Sequence, residues 1–486
     1  MDKSISRTII SIGKLLLLGF VTVILFIKTN CNPVIEPDPI PAANNKIVLG
    51  YYWPQETYHY SMIKYENLTH VALAFAIPKA DGTLNTDNIS SQISGFVETA
   101  HQYRKKAILS VGGYTGSSNF SGIASDAGKR QIFASTLKTF CISNNYDGVD
   151  IDWEFPNTWE SYNVTNLIKE IYNTLKSGNS NLTISITIPY AIGWTGFDIT
   201  GLKNYVDWIG VMTYDYSTCY SSPLIAGHNA PFSKIKSDIN NLLGNVPPEK
   251  LLLGLPFYGR QYNCLSSPSI NAIANGCEDM NYSNLPDFFQ GSWQRNWDNN
   301  SSAPYLTNSV TNQLISYDDQ QSIKLKCQWL NEKNLKGAII WALGKDGLEA
   351  NQPLLCTVGK EILGTGCTAA NLNGIWNGIL TQPGNTYDLF NFQISILQNS
   401  ETITGTSRIE VANTSYFGIM TLSGDINGNN LNFLENTIQN QNPPPGFIWC
   451  IKMGDLLYKE TVDSLIGHWS APGCLPGMVK LHRVSQ

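Results

Sequence analysis

In the 486-residue chain, the run Asp147-Gly148-Val149-Asp150-Ile151-Asp152-Trp153-Glu154-Phe155-Pro156 sets an acid at every second position of an otherwise apolar segment. Successive side chains of a β-strand point to opposite faces. Asp150, Asp152 and Glu154 therefore share one face, about 6.6 Å apart per step, and Val149, Ile151 and Trp153 share the other. The apolar face demands burial, which excludes a solvated edge strand and puts the segment among parallel partners with helices packed behind it. In a closed barrel the acid face then points inward. Three carboxylates in one low-dielectric column repel one another and resist ionisation, so at least one pKa is expected to rise. Glu154, outermost at the C-terminal end of the strand, is where a proton donor would meet a substrate. Acid-rich strand ends also suit magnesium or calcium. The six histidines are widely scattered and there is no CxxC pair, so neither a metal nor a cofactor is expected.

Similar β-rich apolar runs flank this one at Ile47 to Tyr52, His70 to Ala76, Ala107 to Val111, Leu182 to Ile188, Trp208 to Thr213, Leu251 to Leu255 and Gly337 to Trp341. Segments of helical spacing lie between them, as at Tyr162 to Leu175 and Ser322 to Glu332. Eight such strands over this length predict an α/β fold, a (β/α)8 TIM barrel, in preference to an open sheet. The gap from Leu255 to Gly337 is too long for one crossover helix and is expected to hold an inserted lobe at about 262–308. Past Cys356 the pattern becomes period-two alternation, as in Phe390-Asn391-Phe392-Gln393-Ile394-Ser395-Ile396, broken by turns such as Asn427-Gly428-Asn429. This predicts an all-β domain, a small sandwich or an up-and-down barrel. In it Trp376, Trp449 and Trp469 either form a carbohydrate-binding platform or fill the core.

The charge balance is 32 Lys and Arg against 38 Asp and Glu, a net −6, and only 14% of residues are charged. With no basic run to neutralise phosphates, a nucleic-acid partner is excluded. At the N-terminus Lys3, Arg7 and Lys14 precede the apolar run Leu15 to Ile27, which matches the core of an export signal. A membrane span needs about 20 residues, a length reached only by counting from Ile9. Cys31 resembles the acylated cysteine of a bacterial lipoprotein, although Asn30 stands where a small residue is usual. Lipidation at Cys31, an uncleaved anchor and ordinary cleavage stay open, and with them membrane attachment; each places the folded part outside the cytoplasm. The expected division is an address segment at 1–31, a Pro-rich linker at 32–45, the catalytic barrel at 46–366 and the all-β domain at 367–486. Ten cysteines in an exported chain permit disulfides. Proximity suggests Cys264 with Cys277, Cys356 with Cys367 and Cys450 with Cys474, leaving Cys141, Cys219 and Cys327.

The acid run resembles the DxxDxDxE signature of glycoside hydrolase family 18, the chitinase family. Ser110-Val111-Gly112-Gly113 resembles that family's SxGG on the third strand, and Met212-Thr213-Tyr214-Asp215 its MxYD on the sixth. Leu255-Pro256-Phe257-Tyr258-Gly259-Arg260 on the seventh strand, Trp341 closing the eighth, and Tyr317-Asp318-Asp319 with Ser322 are similar too. The resemblance covers Lys46 to Leu363.

It implies a retaining hydrolase of β-1,4-linked N-acetylglucosamine polymers, with chitin or chito-oligosaccharide as substrate, that uses the substrate's own acetamide as nucleophile. Glu154 would be the general acid, Asp152 would hold the acetamide N–H, Asp150 would share a proton with Asp152, and Tyr214 would orient the acetamide oxygen. Trp341 would floor the site, with Tyr51, Phe75, Met212 and Tyr258 around it. Asp215 and Arg260 would meet hydroxyls, and Gly112 and Tyr114 would line the rim. Tyr114 stands where the family often has Trp, and the inserted lobe looks short, so an open cleft, endo-type cutting and a monomer are expected. The same scaffold also serves endo-β-N-acetylglucosaminidases acting on N-glycans and non-catalytic chitin-binding lectins.

Overall fold

A computed structural model describes residues 45–54, 57–178, 180–288, 292–347 and 352–485. The address segment at 1–31, and all but the last residue of the linker at 32–45, lie outside the described residues.

Eight parallel strands close into a barrel in chain order: Ile47–Tyr52, His70–Pro78, Lys106–Gly112, Gly148–Asp152, Thr183–Pro189, Trp208–Met212, Leu251–Pro256 and Gly337–Trp341, the last pairing with the first. They are numbered first to eighth below. Seven are buried along most or all of their length, the reason they read as near-continuous apolar runs rather than alternating ones. Helices cover the outside. Ser161–Lys176 buries Val164, Leu167, Ile168, Ile171 and Leu175, the one-sided stripe its sequence spacing predicts. Its approach is fixed by a capping box between Asn157 and Glu160. The helix Gln320–Glu332 starts on a similar box between Asp319 and Ser322, while Asp318 pairs with the buried Lys326 at 2.5 Å. Tyr317-Asp318-Asp319 and Ser322 therefore seat a helix and lie outside the barrel mouth.

After the seventh strand the chain builds an antiparallel five-stranded sheet, wider than 262–308. It runs from Tyr258–Cys264 through Ala274–Asn281, Trp293–Asp298 and Ala303–Asn308 to Gln313–Ser316. One expected disulfide is corrected here. Cys277 bonds Cys219, with Cα atoms 5.2 Å apart, and not Cys264. Cys277 lies opposite Tyr262 in the hairpin, whereas Cys264 lies opposite Ala274, two positions along the strand, and is buried among Ala226, Tyr262 and Leu314. Closeness in sequence across a hairpin does not bring two thiols together when the register separates them. Cys356–Cys367 and Cys450–Cys474 form as expected, and Cys141, Cys264 and Cys327 are buried free thiols.

The C-terminal part is a closed antiparallel up-and-down barrel of eight strands running from Gly374–Thr381 to Cys474–Ser485. Trp376 is fully buried and Trp469 nearly so, both inside this barrel's apolar core with Trp449 at its edge. The carbohydrate platform proposed for these three is thus not an exposed surface; their rings fill a core too small to close without large side chains.

Candidate active site

The acid column stands inside the first barrel, as the alternation of the fourth strand requires. Asp150 is deepest. It accepts hydrogen bonds from Tyr51 Oη at 2.8 Å, Ser110 Oγ at 3.1 Å, Ser185 Oγ at 2.7 Å and Thr187 Oγ1 at 3.3 Å, all from strands that surround it. Burial raises its pKa and these hydroxyls pull against that rise. Asp152, one step up, has a buried Oδ1 with no hydrogen-bond partner. Burial, then the charges of Glu154 and Asp150, hold its pKa well above the ordinary value, so the column keeps a proton at this level. Glu154 reaches the mouth, where burial and then the Asp215 carboxylate push it up to about 7. A carboxyl near neutrality suits proton donation and return in one cycle.

The paired glycines explain how the third strand ends against the column. Gly112 has φ +112°, and a Cβ there would lie 2.2 Å from the Asp152 carbonyl oxygen. Gly113 N–H donates to that oxygen at 2.8 Å, and Ser117 Oγ accepts from Glu154 N–H at 2.9 Å. Gly112 thus lets backbone pass close to backbone; it does not line the cavity, and neither does Asp150.

A cleft of about 520 Å³ opens above the column, lined by Tyr51, Phe75, Tyr114, Asp152, Glu154, Met212, Tyr214, Asp215, Tyr258, Arg260 and Trp341. Trp341 is stacked by Phe75 at 5.6 Å and braced by Tyr51 at 5.8 Å. Cis peptides precede Phe75 and follow Glu154 and Trp341. Tyr214 is buried edge-on to Tyr258 at 6.1 Å, and burial together with the charges of Asp152 and Asp215 keeps its phenol protonated. Asp215, at φ +60°, accepts from Tyr258 Oη at 2.5 Å and from Arg260 at 2.6 Å. Arg260 also pairs with Asp279 at 2.5 Å, so its charge is engaged by protein carboxylates.

Trp53, Tyr190, Trp194, Tyr220 and Asp279 complete the lining and were not singled out in the sequence. Trp53 and Tyr190 each follow the last residue of a barrel strand, where a strand-end rule finds them. Trp194 and Tyr220 stand in loops with no periodic signal, and Asp279 reaches the cleft only through the inserted sheet.

Residues 47–346 match the sequence model of the family described as glycosyl hydrolases family 18. Chitinase A1 of Niallia circulans is 29% identical over 381 residues, 64% of this chain and 53% of that protein, so the match spans about half its length. The crystal structure of a group IV chitinase from Ostrinia furnacalis is 25% identical, with TM-score 0.62, and covers 65% of this chain and 99% of that one. Human YKL-39, a pseudo-chitinase with retained chitooligosaccharide binding properties, shares the fold at TM-score 0.61 and 22% identity, over 65% of this chain and 99% of its own.

Proposed function

The chain belongs to glycosyl hydrolases family 18, and on that premise we propose that it cleaves β-1,4-linked N-acetylglucosamine polymers by acting within the chain, with retention of configuration. The observation that carries this reading is the graded acid column. A fully buried Asp150 is held by hydroxyls, a partnerless Asp152 oxygen lies above it, and Glu154 at the cleft is pushed up to about 7.

A sugar bound over Trp341 presents its apolar face to the indole. Glu154 donates its proton to the glycosidic oxygen as the bond to the anomeric carbon breaks, while the acetamide oxygen of the same sugar attacks that carbon and forms an oxazolinium ion. The free oxygen of Asp152 takes the acetamide N–H and stabilises the positive charge, an interaction strengthened by the dry site. Tyr214, its phenol protonated, donates to the acetamide oxygen and fixes its direction of attack. Glu154, now a carboxylate, removes a proton from water as that water opens the oxazolinium from the face the leaving group vacated, restoring the acid. Two inversions give net retention without an enzyme nucleophile. The three disulfides fit an exported protein.

The test is mass spectrometry of products from chitohexaose mixed with a high-mannose glycoprotein, using the wild type and Glu154→Gln. Short chito-oligomers from the wild type alone support the proposal. Released glycan with intact hexamer moves the assignment to an endo-β-N-acetylglucosaminidase. Inertness toward both, with binding retained, makes the chain a lectin of the kind YKL-39 represents.

A further inference from the structure

The C-terminal barrel lies outside the matched family region, and its two ends differ. At one end the connections 400–401, 428–429 and 460–463 are short, and this end meets the catalytic domain. Lys360 pairs with Glu401 at 2.7 Å, and Ala370 N–H donates to the Gly428 carbonyl at 2.8 Å. At the opposite end the connections 382–388, 411–416 and 443–452 are long, and the last is stapled to the final hairpin by Cys450–Cys474.

These long connections surround a cavity of about 340 Å³, within the range of small-molecule sites. Tyr387, Phe390, Phe447, Trp449, Trp469 and Asn385 line it. The indole of Trp449 lies against Gly418, where a Cβ would come within 3.0 Å of the ring. Trp449 is 9% exposed, yet its Nε1–H has no hydrogen-bond partner. A buried donor left unpaired costs about 1–3 kcal/mol, so the cavity is short of one acceptor. Around it Ile448 is 84% exposed and Leu475 47%, an apolar rim on a domain whose other large side chains are mostly buried. The buried pair Lys452–Glu435, 2.8 Å apart, adjoins the cavity, and each member is neutralised by the other, so the site offers aromatic faces, amides and one free donor but no net charge.

We propose that this end of the barrel is a second carbohydrate site, separate from the catalytic cleft, which receives one N-acetylglucosamine unit at a chain end. Flat rings accept the apolar face of a pyranose, and Trp449 Nε1–H donates to a hydroxyl or acetamide oxygen. The choice of this sugar rests on the activity proposed for the cleft; the site itself does not.

The test uses the full chain carrying Glu154→Gln, with ¹⁵N-labelled indoles, titrated with N,N′-diacetylchitobiose. The Trp449 and Trp341 signals are assigned by their loss in Trp449→Phe and Trp341→Phe. The expected result is a saturable shift of the Trp449 signal, with Phe447→Ala weakening that binding roughly tenfold and leaving the Trp341 titration unchanged. A moving Trp341 signal beside a fixed Trp449 signal overturns the second site and leaves the cleft reading standing. The reverse pattern sinks the cleft reading alone, and two fixed signals sink both. A Trp449 signal that moves with 1-octanol but not with the sugar overturns the carbohydrate assignment.

Discussion

Arg260 Nη2 lies 2.6 Å from Asp215 Oδ1, an ion pair that joins the inserted sheet to the end of the sixth barrel strand. The pair explains how the cleft combines parts that are 45 residues apart. It also holds a second carboxylate close enough to Glu154 to raise that group's pKa.

Asp215→Asn removes a negative charge facing Glu154, so the Glu154 pKa falls. A general acid works only while protonated, and the alkaline limb of kcat/KM, expected near pH 7 in the wild type, moves to lower pH. Initial rates on a fluorogenic chito-oligosaccharide from pH 4 to 9 check this; a limb that stays in place or moves up contradicts the assignment of Glu154.

Tyr214→Phe and Asp152→Asn remove groups proposed to act on the acetamide as charge develops. Each is expected to lower kcat by roughly 10²–10³-fold with a much smaller change in KM. Steady-state kinetics on chitohexaose decide it, and a loss confined to KM would mean that these groups serve ground-state binding only.

The Cys219–Cys277 bridge crosses 58 residues of sequence. Cys219→Ser is expected to cost about 2–4 kcal/mol, whereas Cys264→Ser, at a thiol that is free, leaves the disulfides intact. Peptide mapping without reduction, beside thermal denaturation of both variants, tests the pairing. A 264–277 peptide from the wild type would refute it.

Asp346 is a further source of pH dependence. Its Oδ2 accepts from Leu355 N–H at 3.0 Å while its Oδ1 has no partner, and burial pushes the group up to about 7. Below pH 4 it is protonated in folded and unfolded chain alike and costs nothing. Between pH 4 and 7 the unfolded chain ionises first, so stability falls as pH rises and the loss is complete above the folded pKa. Asp346→Asn keeps the acceptor for Leu355 and is expected to be about 1–3 kcal/mol more stable than the wild type at pH 8, with little difference at pH 4. Denaturant unfolding at both pH values measures it.

The eight barrel strands and the inward acid column are legible in the chain because strand alternation and continuous apolar runs are local properties, carried by neighbours such as Val149 and Asp150. The period-two pattern around Phe392 likewise announced the second domain, without deciding between sandwich and barrel. That choice rests on whether Gly374–Thr381 pairs with Cys474–Ser485, a contact between the ends of the domain.

What the sequence by itself determined is therefore the order of the elements, the face on which each carboxylate stands and the family signature they compose. The tertiary structure alone decided which cysteine meets Cys277, that Arg260 is engaged by Asp215 and Asp279, that the three tail tryptophans belong to a core, and that Trp449 retains a free N–H beside a cavity. The physical reason is common to all four. Each depends on register and on closure between segments far apart in the chain, and a one-position change in pairing redirects a side chain to the opposite face with no change in local pattern.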